Sequence, residues 1–135
     1  MRSAAPSILL VLALATLCDV AAADELLIYS ADPGCPRRDD FVGAVTARTT
    51  RARFVSEDDG SLRRFEVTLA ESEDGARGSL TIREPGGGEP AVRDVTDASC
   101  RAVADALALI TALAIDPMAS LTPQPVPPPP PPPPP

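Results

Sequence analysis

The chain has 135 residues, 12 basic and 19 acidic side chains and a net charge of −7, which argues against nucleic acid or an anionic membrane surface as a partner, since both are held through excess Lys and Arg. Every basic residue is Arg, and Lys, His, Asn and Trp are absent, a bias that GC-rich coding explains. The missing types exclude an imidazole base, a Ser-His or Cys-His pair, a His metal site, a Schiff base and a phosphate-loop lysine.

Residues 1–23 read as a secretory signal peptide: Arg2 supplies the positive start, residues 8–17 the apolar run, and Ala21-Ala22-Ala23 a small-residue cleavage site before Asp24. An apolar run of about 10 residues is half of a membrane span. Leu17 ahead of Cys18 fits poorly with acylation of that cysteine, so the mature chain is expected to start at Asp24 rather than as a lipoprotein. Losing Arg2 and Asp19 with the leader keeps the charge at −7.

Residues 24–117 suffice for one domain with one modest core. "ELLIYSA" (25–31) reads as a strand bounded by charge and by "DPG". Pro36 suits the first turn of a helix running through "PRRDDFVGAVTART", with Asp39 and Asp40 at its positive end and Phe41, Val42, Val45 and Thr49 at helical spacing. "ARFV" (52–55) is a short strand. "RRFEVTLA" (63–70) and "SLTIRE" (79–84) alternate, with Phe65, Val67, Leu69, Leu80 and Ile82 inside, and "AVRDV" follows the turn "PGGGEP". Asp-Gly and Gly-rich turns between such runs, "SEDGARG" among them, predict an antiparallel meander with one wet face.

"ASCRAVADALALITALAIDP" (98–117) predicts a helix capped by Ser99 or Asp97, starting at Cys100 and stopped by Asp116-Pro117. It is apolar over most of its circumference, and its charge-free run of 10 residues is too short for a bilayer. It reads as a buried core helix despite Asp105. The expected fold is α+β: a two-layer sandwich with an antiparallel sheet of four to five strands and two helices packed on one face. Residues 118–135 form a Pro-rich tail ending in nine prolines. The proline run is a polyproline II rod of roughly 28 Å, fit for a spacer or linker, and the whole tail from Thr122 is expected to be dispensable for folding, so that a chain ended after Pro117 melts like the full one.

The remaining chemistry is sparse. Asp39 and Asp40 are the nearest approach to an acid/base pair, but neighbours on a helix diverge by about 100°. "VSEDDGSLRRFE" places Glu57, Asp59, Gly60 and Glu66 at positions 3, 5, 6 and 12 of a calcium loop, yet Val55 occupies the first ligand position. A polar hairpin loop with Gly60 at positive φ is the better reading. The pairs Arg37-Arg38 and Arg63-Arg64 read as solvated surface. Neither a catalytic residue nor a cofactor or metal is expected.

"GCPRRDDFVGAV", followed by "ASCRAVADALALITALAIDP" and a proline tail, resembles the N-terminal module of exported proteins of myxobacteria-type GC-rich genomes. There a Cys-Pro helix start accompanies a Ser-Cys helix ending in Asp-Pro, ahead of a Pro-rich linker. The family has no assigned activity, so the resemblance bears on fold and location only.

With Cys18 removed, Cys35 and Cys100 are the remaining thiols of a chain addressed to an oxidising compartment. Each stands at a helix start, and two helices side by side running the same way would bring them within disulfide reach, so a structural Cys35–Cys100 disulfide is expected rather than two buried free thiols or a redox or metal pair. The expected protein is an exported, non-catalytic structural or interaction module of the bacterial envelope, periplasmic or extracellular. Its expected partner is an envelope protein or cell-wall polymer. A small secreted inhibitor or ligand-binding protein is the alternative, and a hydrolase using carboxylates alone stands third.

Overall fold

The computed structural model describes residues 22–125 and 127–132. The leader reading, Cys18 included, lies outside the described residues except at Ala22 and Ala23, as do Val126 and residues 133–135. The order of elements is β1 (Ala23–Ala31), α1 (Arg38–Thr46), β2 (Ala52–Val55), β3 (Arg63–Ser72), β4 (Gly75–Arg83), β5 (Ala91–Asp97) and α2 (Cys100–Ile115). The strands form one five-stranded sheet in the order β2-β1-β3-β4-β5, an α+β fold.

The sheet is mixed, where an antiparallel one was expected. β1 runs parallel to both β2 and β3, and only β3–β4 and β4–β5 are antiparallel. Helix α1 sits between β1 and β2, and a strand–helix–strand crossover returns the chain in the same direction. Residues 56–62 then pass β1 to reach β3 on its other side, so the Gly60 loop is a crossing and not a hairpin. Leu26 marks the route. It shares a face with Ile28 and Ser30, opposite Leu27 and Tyr29, yet is only 6% exposed. Asp58 of the crossing segment meets Arg64, the register partner of Leu26, at 2.7 Å.

The hairpin between β3 and β4 is tighter than "SEDGARG" suggests: Ser72 pairs with Gly75 across Glu73 and Asp74. Gly75 takes φ +136 there. Gly78, read as turn, is an inward position of β4. A Cβ on it would lie 2.7 Å from Val103, 2.8 Å from Leu107 and 2.8 Å from Leu69, so its missing side chain is what lets α2 seat on the strand. Leu27, Phe65, Val67, Leu69 and Leu80 complete that buried face with Val103 and Leu107 of α2, each full burial contributing about 1.5–3 kcal/mol. Phe41 of α1 meets Tyr29 of the same face with ring centres 5.4 Å apart.

Both helix starts follow from caps. Ser99 Oγ accepts the Ala102 N–H at 3.2 Å. In α1, Asp40 Oδ2 accepts the Arg37 N–H at 3.0 Å, which makes Arg37 the N-cap and leaves Pro36 outside the helix rather than in its first turn. The Pro36 carbonyl instead accepts from the Tyr29 hydroxyl at 2.5 Å. Helix α2 buries Cys100, Val103, Ala104, Leu107, Ala108, Thr111 and Ala112 and exposes Asp105. Among the described residues no helix is long and apolar enough to cross a membrane.

The tail does not leave the domain at Pro117. Orphan carbonyls at the end of α1 take donors from it: Ser120 N–H donates to Arg48 O and Gln124 N–H to Ala47 O, each at 2.8 Å. Arg48 Nη1 donates back to Leu121 O at 2.5 Å. Residues 118–124 are therefore a strap on the domain, and Pro125 and Pro127 still border the end of α1 beside Thr46 and Ala47.

Candidate interaction surface

The two helices are clamped at both ends. At their starts Cys35 and Cys100 are joined by a disulfide, with Cα atoms 5.2 Å apart. At their far ends Thr49 Oγ1 donates to Asp116 Oδ2 at 2.7 Å, and Arg51 Nη1 reaches Asp116 Oδ1 at 3.4 Å. The Thr49 hydroxyl first, then the Met118 N–H and the Arg51 charge, hold the Asp116 carboxyl below its ordinary range.

A second buried pair ties the start of the sheet to the end of α2. Glu25, 3% exposed, accepts from Arg63 Nη2 at 2.7 Å and Nε at 3.3 Å, while Arg63 Nη1 donates to Ala114 O at 3.2 Å. Arg63 also lies over the Phe65 ring, 5.1 Å from its centre. The Glu25 hydrogen bond pushes the Arg63 guanidinium further above its ordinary value, against the burial that pulls it down. Through this one side chain the beginning of β1 and the end of α2 share a pole. The disulfide, the β3–β4 turn and the helix starts form the other.

At the disulfide pole lies an open cleft of about 740 Å³, bordered by Asp40, Glu71, Glu73, Ser99 and Arg101. Asp40 is committed to its cap and Asp39 is exposed beside it, and both border a second groove of about 480 Å³ between the helices together with Arg48 and Arg101. Burial, and then the Asp40 charge, push the Tyr29 hydroxyl above its ordinary pKa.

The calcium-loop residues are dispersed. Asp58 Oδ1 accepts the Gly60 N–H and Asp59 Oδ1 the Ser61 N–H, at 2.7 and 2.9 Å, while Glu66 stands in β3, 3.5 Å from Arg83. The Arg64 hydrogen bond lowers the Asp58 carboxyl, and the Ser61 hydroxyl that of Asp59. No group of three metal-ligating side chains assembles among the described residues. Arg63 and Arg64, adjacent in a strand, point to opposite faces, one to Glu25 and the other to Asp58. They form no joint patch.

The sheet face opposite the helices is the other candidate surface, and its two halves differ. Around β1–β2 and the start of β3, charges are paired: Arg53 with Asp24, Arg64 with Asp58 and Glu66, Arg83 with Glu66. Towards β5 the register lines up Ser30, Thr68, Ser79 and Asp94 in one row across four strands, with Arg77 and Thr96 in the next. Among the described residues neither Arg77 nor Asp94 is in an ion pair, and Thr68, Ser79 and Asp94 of the row line a depression of about 450 Å³ with Arg77 and Thr96. Alternation in β3 and β4 made this wet face readable. The Glu25–Arg63 and Thr49–Asp116 contacts had no local signal, because each joins residues far apart in the chain.

No protein-family model matches this chain, and no curated protein or solved structure matches it. The site is therefore read from its own geometry.

Proposed function

We propose that the chain is an exported, non-catalytic structural or interaction module of the bacterial envelope, presented on a rigid Pro-rich linker. The carrying observation is the Cys35–Cys100 disulfide, because such bonds persist in oxidising compartments and are rare in the cytosol. The leader pattern of residues 1–23 supports the same address, as does the resemblance to exported modules of myxobacteria-type genomes. The shared pole of β1 and α2 supports presentation: rod and leader junction leave from one end, which turns the disulfide cleft and the row Ser30–Thr68–Ser79–Asp94 away from the attachment point. An envelope protein or a cell-wall polymer, contacted through hydroxyls and backbone rather than net charge, is the partner class this surface suits.

Expression of the full chain in a bacterial host, with fractionation and thiol alkylation of the denatured, unreduced product, tests the export reading. Protein in the periplasm or medium, starting at Asp24 and taking no alkyl group, is expected. Cytosolic protein with two free thiols would overturn it. A second reading, a small ligand-binding protein, draws on the cleft beside the disulfide.

A further inference from the structure

The two edges of the sheet are not alike. β2 is four residues long and carries the Arg53–Asp24 pair. β5 is seven residues long, Ala91–Asp97, and almost wholly exposed. Natural edges are blunted by shortness, charged side chains, proline, bulges or a covering element. β5 has no internal proline, its register with β4 runs unbroken from Ala91 to Asp97, and its one protection is charge, at Arg93, Asp94 and Asp97, which repels a second strand only where like charges meet.

The edge is also self-complementary. In an antiparallel pairing of β5 with itself centred on Val95, Arg93 falls opposite Asp97 of the second copy, and this pairing occurs twice. Asp94 falls opposite Thr96, and Val95 meets Val95. The registers centred on Arg93 or Asp94 set like charges opposite each other, which disfavours them. Only the Val95 register joins opposite charges.

A second observation comes from the neighbouring helix. Val103 and Leu107 point at β4, and Ala104 with Arg101 and Asp105 lines the groove towards α1. At about 100° per residue, the flank of α2 on the far side of Val103 from that groove carries Ala102, Ala106, Ile110 and Leu113. All four are apolar and only partly buried, and α2 packs against β5 as well as β4, with Val95, Ile110 and Leu113 on the same core.

We infer that the β5 edge is a homodimerisation site, at which a second copy of this chain pairs antiparallel about Val95 and continues the two sheets into one of ten strands. The two α2 flanks then face each other across the two-fold axis on one side of the sheet. On the other side the polar row extends through Asp94 to Thr96 and Arg77 of the second copy, doubling the candidate surface. Pairing through β5 does not depend on where the protein resides.

Sedimentation velocity on the disulfide-bonded protein, over roughly 1 µM to 1 mM where small interfaces associate, is the test. A monomer–dimer equilibrium is expected. Arg93→Asp and Asp97→Arg should each weaken it by about tenfold or more, because each sets two like-charge pairs opposite one another. An equimolar mixture of the two variants should recover the dimer as a heterodimer, since the carboxylate introduced at position 93 of one copy then faces the guanidinium introduced at position 97 of the other. Recovery in the mixture also shows that neither variant lost its fold. A monomer at every concentration would overturn the inference. So would a dimer unmoved by either reversal, or a mixture no tighter than the single variants.

Discussion

Reducing the Cys35–Cys100 bridge is expected to cost this domain about 4 kcal/mol. The cysteines are 65 residues apart, and in the chain-entropy model closing a loop of that length removes roughly 14 cal/mol/K from the unfolded chain, which is about 4 kcal/mol at 25 °C. The native state adds little strain to offset this, because the Cα separation of 5.2 Å lies inside the ordinary disulfide range. Both ends are also positioned independently: Cys35 N–H donates to Asp32 O at 2.9 Å, and Cys100 opens a capped helix. The stability of small domains is itself about 5–15 kcal/mol, so the bridge supplies between about a quarter and most of it. At about 4–8 °C per kcal/mol, its melting point should fall by roughly 16–32 °C. Urea unfolding followed by circular dichroism, with and without a phosphine reductant, measures the effect. The Cys35→Ala/Cys100→Ala variant, which also loses buried sulfur packing, should fall at least as far as the reduced protein. If the reduced protein stays within about 1 kcal/mol of the oxidised one, the unfolded chain is not the expanded ensemble the loop-closure model assumes.

Arg63→Leu should destabilise by about 3 kcal/mol or more, because it leaves Glu25 buried without its partner, and Glu25→Leu/Arg63→Leu should regain much of the loss; equal costs for the single and double variants would count against the pair. Ending the chain after Pro117 should lower stability by about 2 kcal/mol through the two backbone hydrogen bonds from the strap, whereas ending it after Pro127 should leave the melt unchanged. Asp116→Asn should show its stability deficit at neutral pH and lose it in acid. The folded carboxyl sits below its ordinary 3.8, so its contribution is complete well above that value and disappears as pH falls through the lower, folded one. Urea midpoints at pH 7, 5 and 3 read this, and a deficit that persists unchanged at pH 3 would contradict the assignment.

What could be read from the sequence divides by the range of the interaction that decides it. Alternation placed Phe65, Val67, Leu69 and Leu80 inward, and the Ser99 cap and Asp116-Pro117 stop bounded α2, because periods and caps are settled within one element. Parallel pairing of β1 was missed because a run such as "ELLIYSA" carries no mark of strand direction. The helix between β1 and β2 implied that direction, but the Gly60 loop looked like a hairpin, and the crossing shows only once β3 is placed on the other side of β1 from β2. Gly78 misled for a related reason. An inward strand position without a side chain reads as a turn until α2 is placed against it. The disulfide needed only compartment and cysteine number. Glu25 with Arg63, 38 residues apart, and Thr49 with Asp116, 67 apart, needed the whole topology, because a charged residue near a segment end reads as solvated surface unless its partner is in view. These two contacts are where the sheet start, both helix ends and the strap converge. The least readable part of the chain is thus the pole where the start of β1, the ends of both helices and the strap meet.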